Sequence, residues 1–279
     1  MIEINSEKCV RCGSCIDDCV VKVLERTAEG TPAPIPQWEQ YCINCQHCLT
    51  ICPAEAIVLN GKSAFDCSFP GSPSRPGAMF DLIRQRCSVR QWSDKPVSDI
   101  SLRLMKRSLD WTPTGCNAHS LRFTFVLGQD EMDKFRKLVY AWLRRPVVNG
   151  LLRFFYPKFC RYLDEIRDGQ DVVFRDAPNM VLASVPRRAP CAAFDPVIAL
   201  TQFDLMAQSL GVGTCWCGFG LGLTKLLPGM RRLFQIEKGY VPGALMLFGM
   251  PNVKYKHLTN PEPYVKIDIK SAESEKSER

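Results

Sequence analysis

Two cysteine runs near the start of the chain share one spacing. The first reads Cys9-Val-Arg-Cys-Gly-Ser-Cys-Ile-Asp-Asp-Cys19, and the second reads Cys42-Ile-Asn-Cys-Gln-His-Cys-Leu-Thr-Ile-Cys52. Each cysteine of the first run has a counterpart 33 positions later. Aliphatic residues match at the same offset in the pairs Ile2/Ile35, Val10/Ile43, Ile16/Leu49 and Leu24/Ile57. A repeat of this kind predicts two similar half-modules that pack on each other.

Regularly spaced cysteines occur in disulfide frameworks, in zinc sites and in iron–sulfur proteins. Three thiolates separated by two residues each fit one face of an iron–sulfur cubane, and the fourth iron then takes a ligand from elsewhere. Four-cysteine runs of this kind do not have the spacing of zinc sites. The spacing therefore favours a module with two [4Fe–4S] clusters over the other two alternatives.

Residues 1–62 resemble the bacterial-type ferredoxin family. In that family the fourth cysteine of each run ligates the other cluster, so the resemblance implies two crossed ligand sets. The implied sets are Cys9, Cys12, Cys15 with Cys52, and Cys42, Cys45, Cys48 with Cys19. Pro53 follows the second run as the family expects, whereas Val20 follows the first. This departure changes a turn and leaves the ligands in place.

Length and composition predict more than a small electron carrier. A chain of 279 residues has room for about two domains. No secretory pattern follows Met1, and no apolar run approaches the ~20 residues of a membrane-spanning helix. Fifteen cysteines in such a chain predict a cytoplasmic protein whose remaining thiols stay reduced.

Charge is distributed unevenly between the two parts of the chain. Residues 1–62 hold five basic and eight acidic side chains, so the net charge of +7 leaves +10 for the remainder. An acidic electron carrier is thus joined to a basic domain. Basic charge occurs in proteins that bind nucleic acids or membranes, but it equally suits an anionic phosphate cofactor. We expect no nucleic-acid partner.

The composition also predicts the domain boundaries. Residues 63–78 hold three prolines, two glycines and four serines without periodicity, which predicts an irregular linker after a ferredoxin domain at 1–62. A second domain is predicted at 79–270. Residues 271–279 are charged and poor in apolar side chains, which predicts a disordered tail. Cys67, in the linker, is interpreted as an incidental free thiol.

Four blocks of the second domain carry a further resemblance. They are Arg86-Cys-Ser-Val-Arg90, the polar loop 113–120 with Asn117, Gly211–Gly218, and Gly249-Met-Pro251 with the lysines just beyond it. In this order, over 79–257, they resemble the flavin-dependent nitroreductase family. The loop departs from the family at 119–121, where His-Ser-Leu replaces a Gln-Pro-Trp segment.

The resemblance implies an α+β fold with a central, mostly antiparallel sheet flanked by helices. It also implies bound FMN in a site shared across a homodimer that exchanges chain ends. The residues implied to contact FMN are Arg86, Ser88, Arg90, Asn117, Cys215, Trp216, Cys217, Gly218, Lys254 and Lys256. Paired arginines and lysines suit its phosphate, and glycines allow the backbone to approach its flat ring. Cys215 and Cys217 are interpreted as packing residues rather than redox thiols.

Residues 134–161 hold eight basic residues, seven aromatic residues and no acid. Leu151, Phe155, Phe159 and Leu163 recur at a spacing of four, which predicts an apolar helical stripe interrupted near Pro157. Three interpretations remain open: core-packing lid helices over the flavin, a peripheral surface for a membrane or an anionic partner, and a selector of substrate charge.

Together these features predict an iron–sulfur flavoprotein oxidoreductase. Electrons would pass from a reduced ferredoxin or flavodoxin through the clusters to FMN, and then to a nitroaromatic, quinone-like or similar acceptor. NAD(P)H is the alternative donor. The alternative function is a non-catalytic flavoprotein that relays electrons to another protein. No catalytic proton donor is identifiable from the sequence.

Overall fold

The computed structural model describes residues 1–68, 71, 75–155, 160–259 and 265–270. The tail predicted at 271–279 and parts of the predicted linker lie outside these residues. Within them, no helix has the length and apolar character needed to cross a membrane.

The N-terminal module is a pair of short antiparallel ribbons with one helical turn per half. Its elements are β1 (Ile2–Ile4), α1 (Ser14–Asp17), β2 (Leu24–Arg26), β3 (Pro32–Pro34), α2 (His47–Thr50) and β4 (Ile57–Leu59). β1 pairs with β4 and β2 pairs with β3. Because α1 and α2 are offset by 33 residues, as are β2 and β4, the sequence repeat is also a structural repeat. Both halves contribute to one core, in which Leu24, Leu49 and Ile57 are buried.

The predicted linker is more ordered at both ends than its composition indicates. Ser63 and Asp66 form a capping box around a short turn, and Cys67 packs against the N-terminal core. The helix α3 (Pro76–Gln85) begins three residues before the predicted start of the second domain. Pro76 explains this start, because proline suits the first turn of a helix.

The second domain is a four-stranded sheet between two layers of helices. After α3 its elements are α4 (Asp99–Ser108), β5 (Arg122–Leu127), α5 (Gln129–Leu143), α6 (Pro146–Phe155), α7 (Cys160–Arg167), β6 (Asn179–Pro186), α8 (Asp195–Ser209), β7 (Gly213–Trp216), α9 (Gly218–Leu226), α10 (Pro228–Leu233) and β8 (Tyr240–Gly249). The strand order is β5–β6–β8–β7, and each of these pairs is antiparallel. The predicted α+β class and antiparallel sheet are confirmed for the described residues.

Both faces of the sheet are buried under helices. Since side chains alternate between the two faces along a strand, each strand contributes to both cores. In β6, Met180 and Leu182 point to a core closed by α5, α7, α9 and α10. Val181 and Ala183 point to the opposite core, closed by α4 and α8. The central strands are therefore apolar on both sides, which fixes their register firmly.

The basic and aromatic segment 134–161 is divided among three helices. α5 packs in the core, where it buries Met132, Phe135, Val139, Tyr140 and Leu143. Of the four residues in the predicted stripe, Leu151 on α6 is 53% exposed and Leu163 on α7 is 2% exposed. Pro157, Phe159 and the side chain of Phe155 lie outside the described part of the chain.

Candidate functional site

Eight cysteines of the N-terminal module line two separate cavities. Cys9, Cys12, Cys15 and Cys52 line the first. Cys19, Cys42, Cys45 and Cys48 line the second. Each cavity thus takes three cysteines from one run and the last cysteine of the other run. The structure brings together the same two crossed sets that the ferredoxin resemblance implies.

The local backbone that presents these sulfurs repeats as well. Gly13 and Gln46 precede α1 and α2 with positive φ angles of 84° and 64°, so each chain turns sharply into its helix. The amide of Val23 donates to Cys19 Sγ at 3.4 Å, and the equivalent amide of Ala56 donates to Cys52 Sγ at 3.3 Å. Amide donors of this kind stabilise a negatively charged sulfur.

Burial makes the thiols of Cys15 and Cys48 poor acids when no metal is present. Burial raises the pKa of the Cys48 thiol to about 11 and also raises the pKa of Cys15. A hydrogen bond from Ser14 instead lowers the pKa of the exposed Cys12. Binding of iron to such a site therefore releases protons. Among the described residues, no group of three or more His, Cys, Asp or Glu is arranged around a single ion. A [4Fe–4S] cluster differs, because each of its cysteines binds a separate iron.

In the second domain, the Arg86–Arg90 block lies directly against β7. The amide of Val89 donates to the Thr214 carbonyl at 2.8 Å, and Ser88 forms a parallel bridge with Thr214. Gly213 makes this approach possible, since a Cβ atom there would lie 2.8 Å from Val89 Cγ2. Two motifs that are far apart in the sequence are thus in contact, and the glycine serves this packing.

A buried carboxylate joins the same two motifs, and the sequence analysis missed it. Asp204 on α8 is 1% exposed and accepts a hydrogen bond from the Thr214 hydroxyl. The guanidinium of Arg86 lies 3.8 Å from the same carboxylate. Arg86 therefore compensates a buried charge in addition to any role toward a ligand. Asp204 gave no signal in the sequence, because it lies among mostly apolar residues of α8 and belongs to no recognisable motif.

The segment after β8 returns to the Arg86–Arg90 block. Tyr255 donates its hydroxyl to the Ser88 carbonyl at 3.4 Å, and Arg90 reaches the same carbonyl at 3.4 Å. Lys254 and Lys256, on either side of Tyr255, are exposed. The two lysines thereby lie in the region of Arg86 and Arg90, and the four cationic side chains together suit an anionic phosphate.

The predicted glycine block is partly strand and partly helix start. Gly211 has a φ of +71° after the end of α8, and Gly218 is the first residue of α9 with open space around its Cα. Trp216 is 36% exposed, whereas Cys215 and Cys217 are 6% and 4% exposed. Gly218 and Trp216 are therefore accessible to a ligand, while the two cysteines face inward.

Comparison with known proteins assigns the second domain. Residues 83–250 match the model of the nitroreductase family. The chain belongs to the nitroreductase family. This match covers more than half of the chain and confirms the predicted enzyme class, a nitroreductase-like oxidoreductase.

Solved structures and one curated protein resemble parts of the chain. A nitroreductase with bound FMN from Bacteroides fragilis NCTC 9343 is 19% identical, with a TM-score of 0.56, and the match covers 68% of this chain and 98% of that one. A nitroreductase with bound FMN from Desulfitobacterium hafniense DCB-2 is 22% identical, with a TM-score of 0.52, over 68% and 97%. At these identities the similarity shows the fold. An uncharacterized ferredoxin of Methanocaldococcus jannaschii is 34% identical over 58 residues, which are 21% of this chain and 75% of that protein.

A loop at 171–177 supports two of the motifs in the nitroreductase domain. Its Arg175 carbonyl accepts from Trp92 Nε1 at 2.9 Å, and its Val173 carbonyl accepts from Cys217 Sγ at 3.3 Å. Burial raises the pKa of Cys217 to about 12, so this thiol stays protonated at neutral pH. Its geometry favours the packing interpretation of Cys217.

Asp171 holds that loop in shape. Its side chain is 6% exposed and accepts from Arg136 Nε at 2.8 Å and from the Tyr140 hydroxyl. The amides of Phe174 and Asp176 donate to it at 2.8 and 3.0 Å. Sequence reasoning missed this cluster as well, since its members are spread over 40 residues of ordinary polar sequence.

The Asn117 loop and the Arg86 block contact different positions of α8 within one chain. Its loop is fixed to the start of α8, where the Gly115 amide donates to the Asp195 carboxylate at 3.1 Å. Asp195 is the first residue of α8. Asp204 lies nine residues further along this helix, which is about 14 Å. The structure thus places the Asn117 loop and the Arg86 block near opposite ends of α8.

Proposed function

We propose that this protein is an iron–sulfur flavoprotein oxidoreductase that passes electrons from a low-potential donor through two [4Fe–4S] clusters to FMN and on to an organic acceptor. The observation that carries the proposal is the combination, on one chain, of two four-cysteine cavities and a nitroreductase domain. Clusters transfer single electrons and a flavin accepts two, so the combination links one-electron donors to two-electron chemistry.

The donor chemistry of the cavities fits the clusters. Each cavity offers four thiols, and Cys19 and Cys52 each accept an additional backbone amide. In the proposed function the first cluster is held by Cys9, Cys12, Cys15 and Cys52, and the second by Cys19, Cys42, Cys45 and Cys48. The protein contributes burial and directed amides, which tune the potentials of such centres.

The residues around Ser88 fit FMN. Arg86 and Arg90, together with Lys254 and Lys256, supply the positive charge that a phosphate requires. Gly218 and Trp216 are the accessible members of the glycine block. Two structural neighbours of the same fold were solved with FMN. When bound, FMN would supply hydride or single-electron transfer, while Asp204 holds Arg86 and Thr214 in position.

The different positions of the Asn117 loop and the Arg86 block along α8 support a homodimer. Within one chain the Asn117 loop and the Arg86 block contact α8 at positions about 14 Å apart along the helix axis, and in the proposed homodimer the two groups reach one flavin from different copies. The helices α3 and α8 also carry exposed apolar side chains, namely Met79, Phe80, Ile83, Val197 and Ile198. Beyond β8, the alternating residues Val265, Ile267 and Ile269 are exposed, which suits an exchanged chain end.

The proposed donor is a reduced ferredoxin or flavodoxin, with NAD(P)H as the alternative. A nitroaromatic or quinone-like molecule is the proposed class of acceptor, since a flat conjugated compound accepts electrons from a flavin. In this arrangement the clusters replace direct reduction of the flavin by a nicotinamide.

The test is an anaerobic visible spectrum with iron, sulfide and FMN quantified, followed by addition of one donor at a time. We expect about eight irons and about one FMN per chain, with flavin bleaching by reduced ferredoxin. Bleaching and fast turnover with NADPH alone would reject the proposed electron route. Absence of FMN would reject the proposed enzyme activity. A reduced flavin that no small acceptor reoxidises would favour the alternative function, a non-catalytic flavoprotein that relays electrons to another protein.

A further inference from the structure

The ferredoxin module is joined to the nitroreductase domain by a side chain at one ligand loop. Asn117 Nδ2 donates to the carbonyls of Ile43 and Asn44, each at 3.1 Å. These two residues lie between Cys42 and Cys45, which line the second cavity. The contact therefore joins the nitroreductase domain to the loop that holds this group of thiols.

The loop that presents Asn117 is built for this position. Cys116, Asn117 and His119 have φ angles of 53°, 54° and 43°, a left-handed backbone that costs non-glycine residues on the order of 1 kcal/mol or more each. The ring nitrogen Nε2 of His119 lies 2.8 Å from Asn117 Oδ1, which orients the amide group. Such a strained run persists only where the surroundings impose it.

The internal repeat shows that the second loop is specialised. Arg11 is the counterpart of Asn44, and its carbonyl is occupied within the module by Arg26 Nη1 at 3.1 Å. The counterpart of Arg26 is Leu59, which has no donor on its side chain. The carbonyl of Asn44 is instead bonded by Asn117 from the other domain.

Exposure follows the same asymmetry. Val10 in the first loop is 64% exposed, whereas its counterpart Ile43 is half-buried. The first loop thus presents a free apolar residue at the surface of the module, and the second loop is partly covered.

We propose that Asn117 is a positioning residue that clamps the second ligand loop, so that the Cys19/Cys42/Cys45/Cys48 site faces the nitroreductase domain and the other site faces the external donor. The proposal rests on the proposed function. It orders the two sites: electrons from a reduced one-electron carrier protein enter at the outer site and leave singly from the inner one, and two such transfers, with protons from water, reduce the flavin fully.

The test compares Asn117→Asp with Arg26→Leu in the purified, anaerobic holoprotein. The first variant removes the amide donor at nearly constant shape, and the second removes the equivalent bond inside the module. Asn60→Ala is an additional variant, because Asn60 Nδ2 supports the Asn44 side chain at 2.8 Å without contacting the other domain. The readouts are hydrogen exchange of peptides 42–48 and 9–15, iron and FMN content, and the rate of flavin bleaching after mixing with reduced ferredoxin.

We expect Asn117→Asp to increase exchange of peptide 42–48 at unchanged iron content. Flavin bleaching, measured per bound FMN, should slow by about tenfold or more, as misplacement of reacting groups does. Asn60→Ala should shift the same peptide, and Arg26→Leu should shift only peptide 9–15. Unchanged exchange of 42–48 in Asn117→Asp, or equal slowing by Arg26→Leu, would overturn the proposal. Wild-type protein without iron would reject the proposed function instead, while the exchange data would still test the clamp.

Discussion

Replacement of Gly213 by alanine tests the contact between the two motifs around Ser88. The new Cβ atom would lie 2.8, 2.9 and 3.0 Å from Val89 Cγ2, Cβ and Cγ1, whereas carbon atoms in good contact are ~3.5–4.0 Å apart. Val89 is 6% exposed and branched at Cβ, so it has little room to move. Overpacking of this kind costs about 1–3 kcal/mol, which corresponds to roughly 2–4 °C in melting temperature for each kcal/mol.

The measurement is urea unfolding followed by far-UV circular dichroism. Gly222→Ala is the matched control, since it changes a helical glycine of α9 that has nothing within 4 Å of its Cβ position. This control should gain about 0.5–1 kcal/mol, because alanine favours the helix. The two glycine substitutions are thus expected to differ in sign.

A rescue experiment tests whether the clash with Val89 causes the loss of stability in Gly213→Ala. Val89→Ala alone should destabilise the protein by about 2 kcal/mol, through lost burial and a small cavity. In the Gly213→Ala background the same change removes the two clashing methyl groups and leaves the Cβ atom of residue 89 at 2.9 Å, so the relief is partial and its cost should fall by about 1 kcal/mol. Equal costs of Val89→Ala in both backgrounds, within about 0.5 kcal/mol, would show that the clash is not the cause of the destabilisation.

Two further predictions concern buried polar groups. Asp171→Asn should lower the free energy of unfolding by about 3–5 kcal/mol, since it leaves the charge of Arg136 poorly compensated. The control Asp133→Asn alters a 49% exposed partner of the same arginine and should lower it by under about 1 kcal/mol. Equal losses for the two variants in urea unfolding would contradict this prediction. Burial raises the pKa of Cys217 from 9.0 to about 12, so the stability that its neutral thiol contributes is complete below pH 9.0 and is lost as pH rises toward 12. Between about pH 7 and about pH 10 the unfolding free energy should therefore fall by about 1.4 kcal/mol less in Cys217→Ala than in wild type, and identical pH slopes would contradict the burial of this thiol.

Local sequence patterns predicted much of the fold correctly. Local signals mark β5 (Arg122–Leu127), which is rich in apolar side chains, and α4 (Asp99–Ser108), where Ser98 is the cap and accepts from the Ser101 amide at 3.1 Å. Both follow from features within a few residues, namely alternating apolar side chains and a capping hydroxyl. The cysteine repeat could also be identified from the sequence, because the spacing of the cysteines is itself the signal.

Other features depended on partners distant in the chain. Residues 213–216, within the glycine block, form an edge strand, because β8 supplies hydrogen bonds to one side and Val89 packs on the other.

Cysteine spacing and the four blocks that resemble the nitroreductase family were evident in the sequence, as were the two cysteine sets that the ferredoxin resemblance implies. The fold was needed to show that these cysteines line two cavities, that Arg86 lies beside Asp204, and that the Asn117 amide donates to the carbonyls of Ile43 and Asn44. The difference follows from the distance along the chain over which each interaction acts. Spacing and capping act over a few residues, whereas a buried acid or an amide donor acquires its role from whichever backbone the fold brings within about 3 Å.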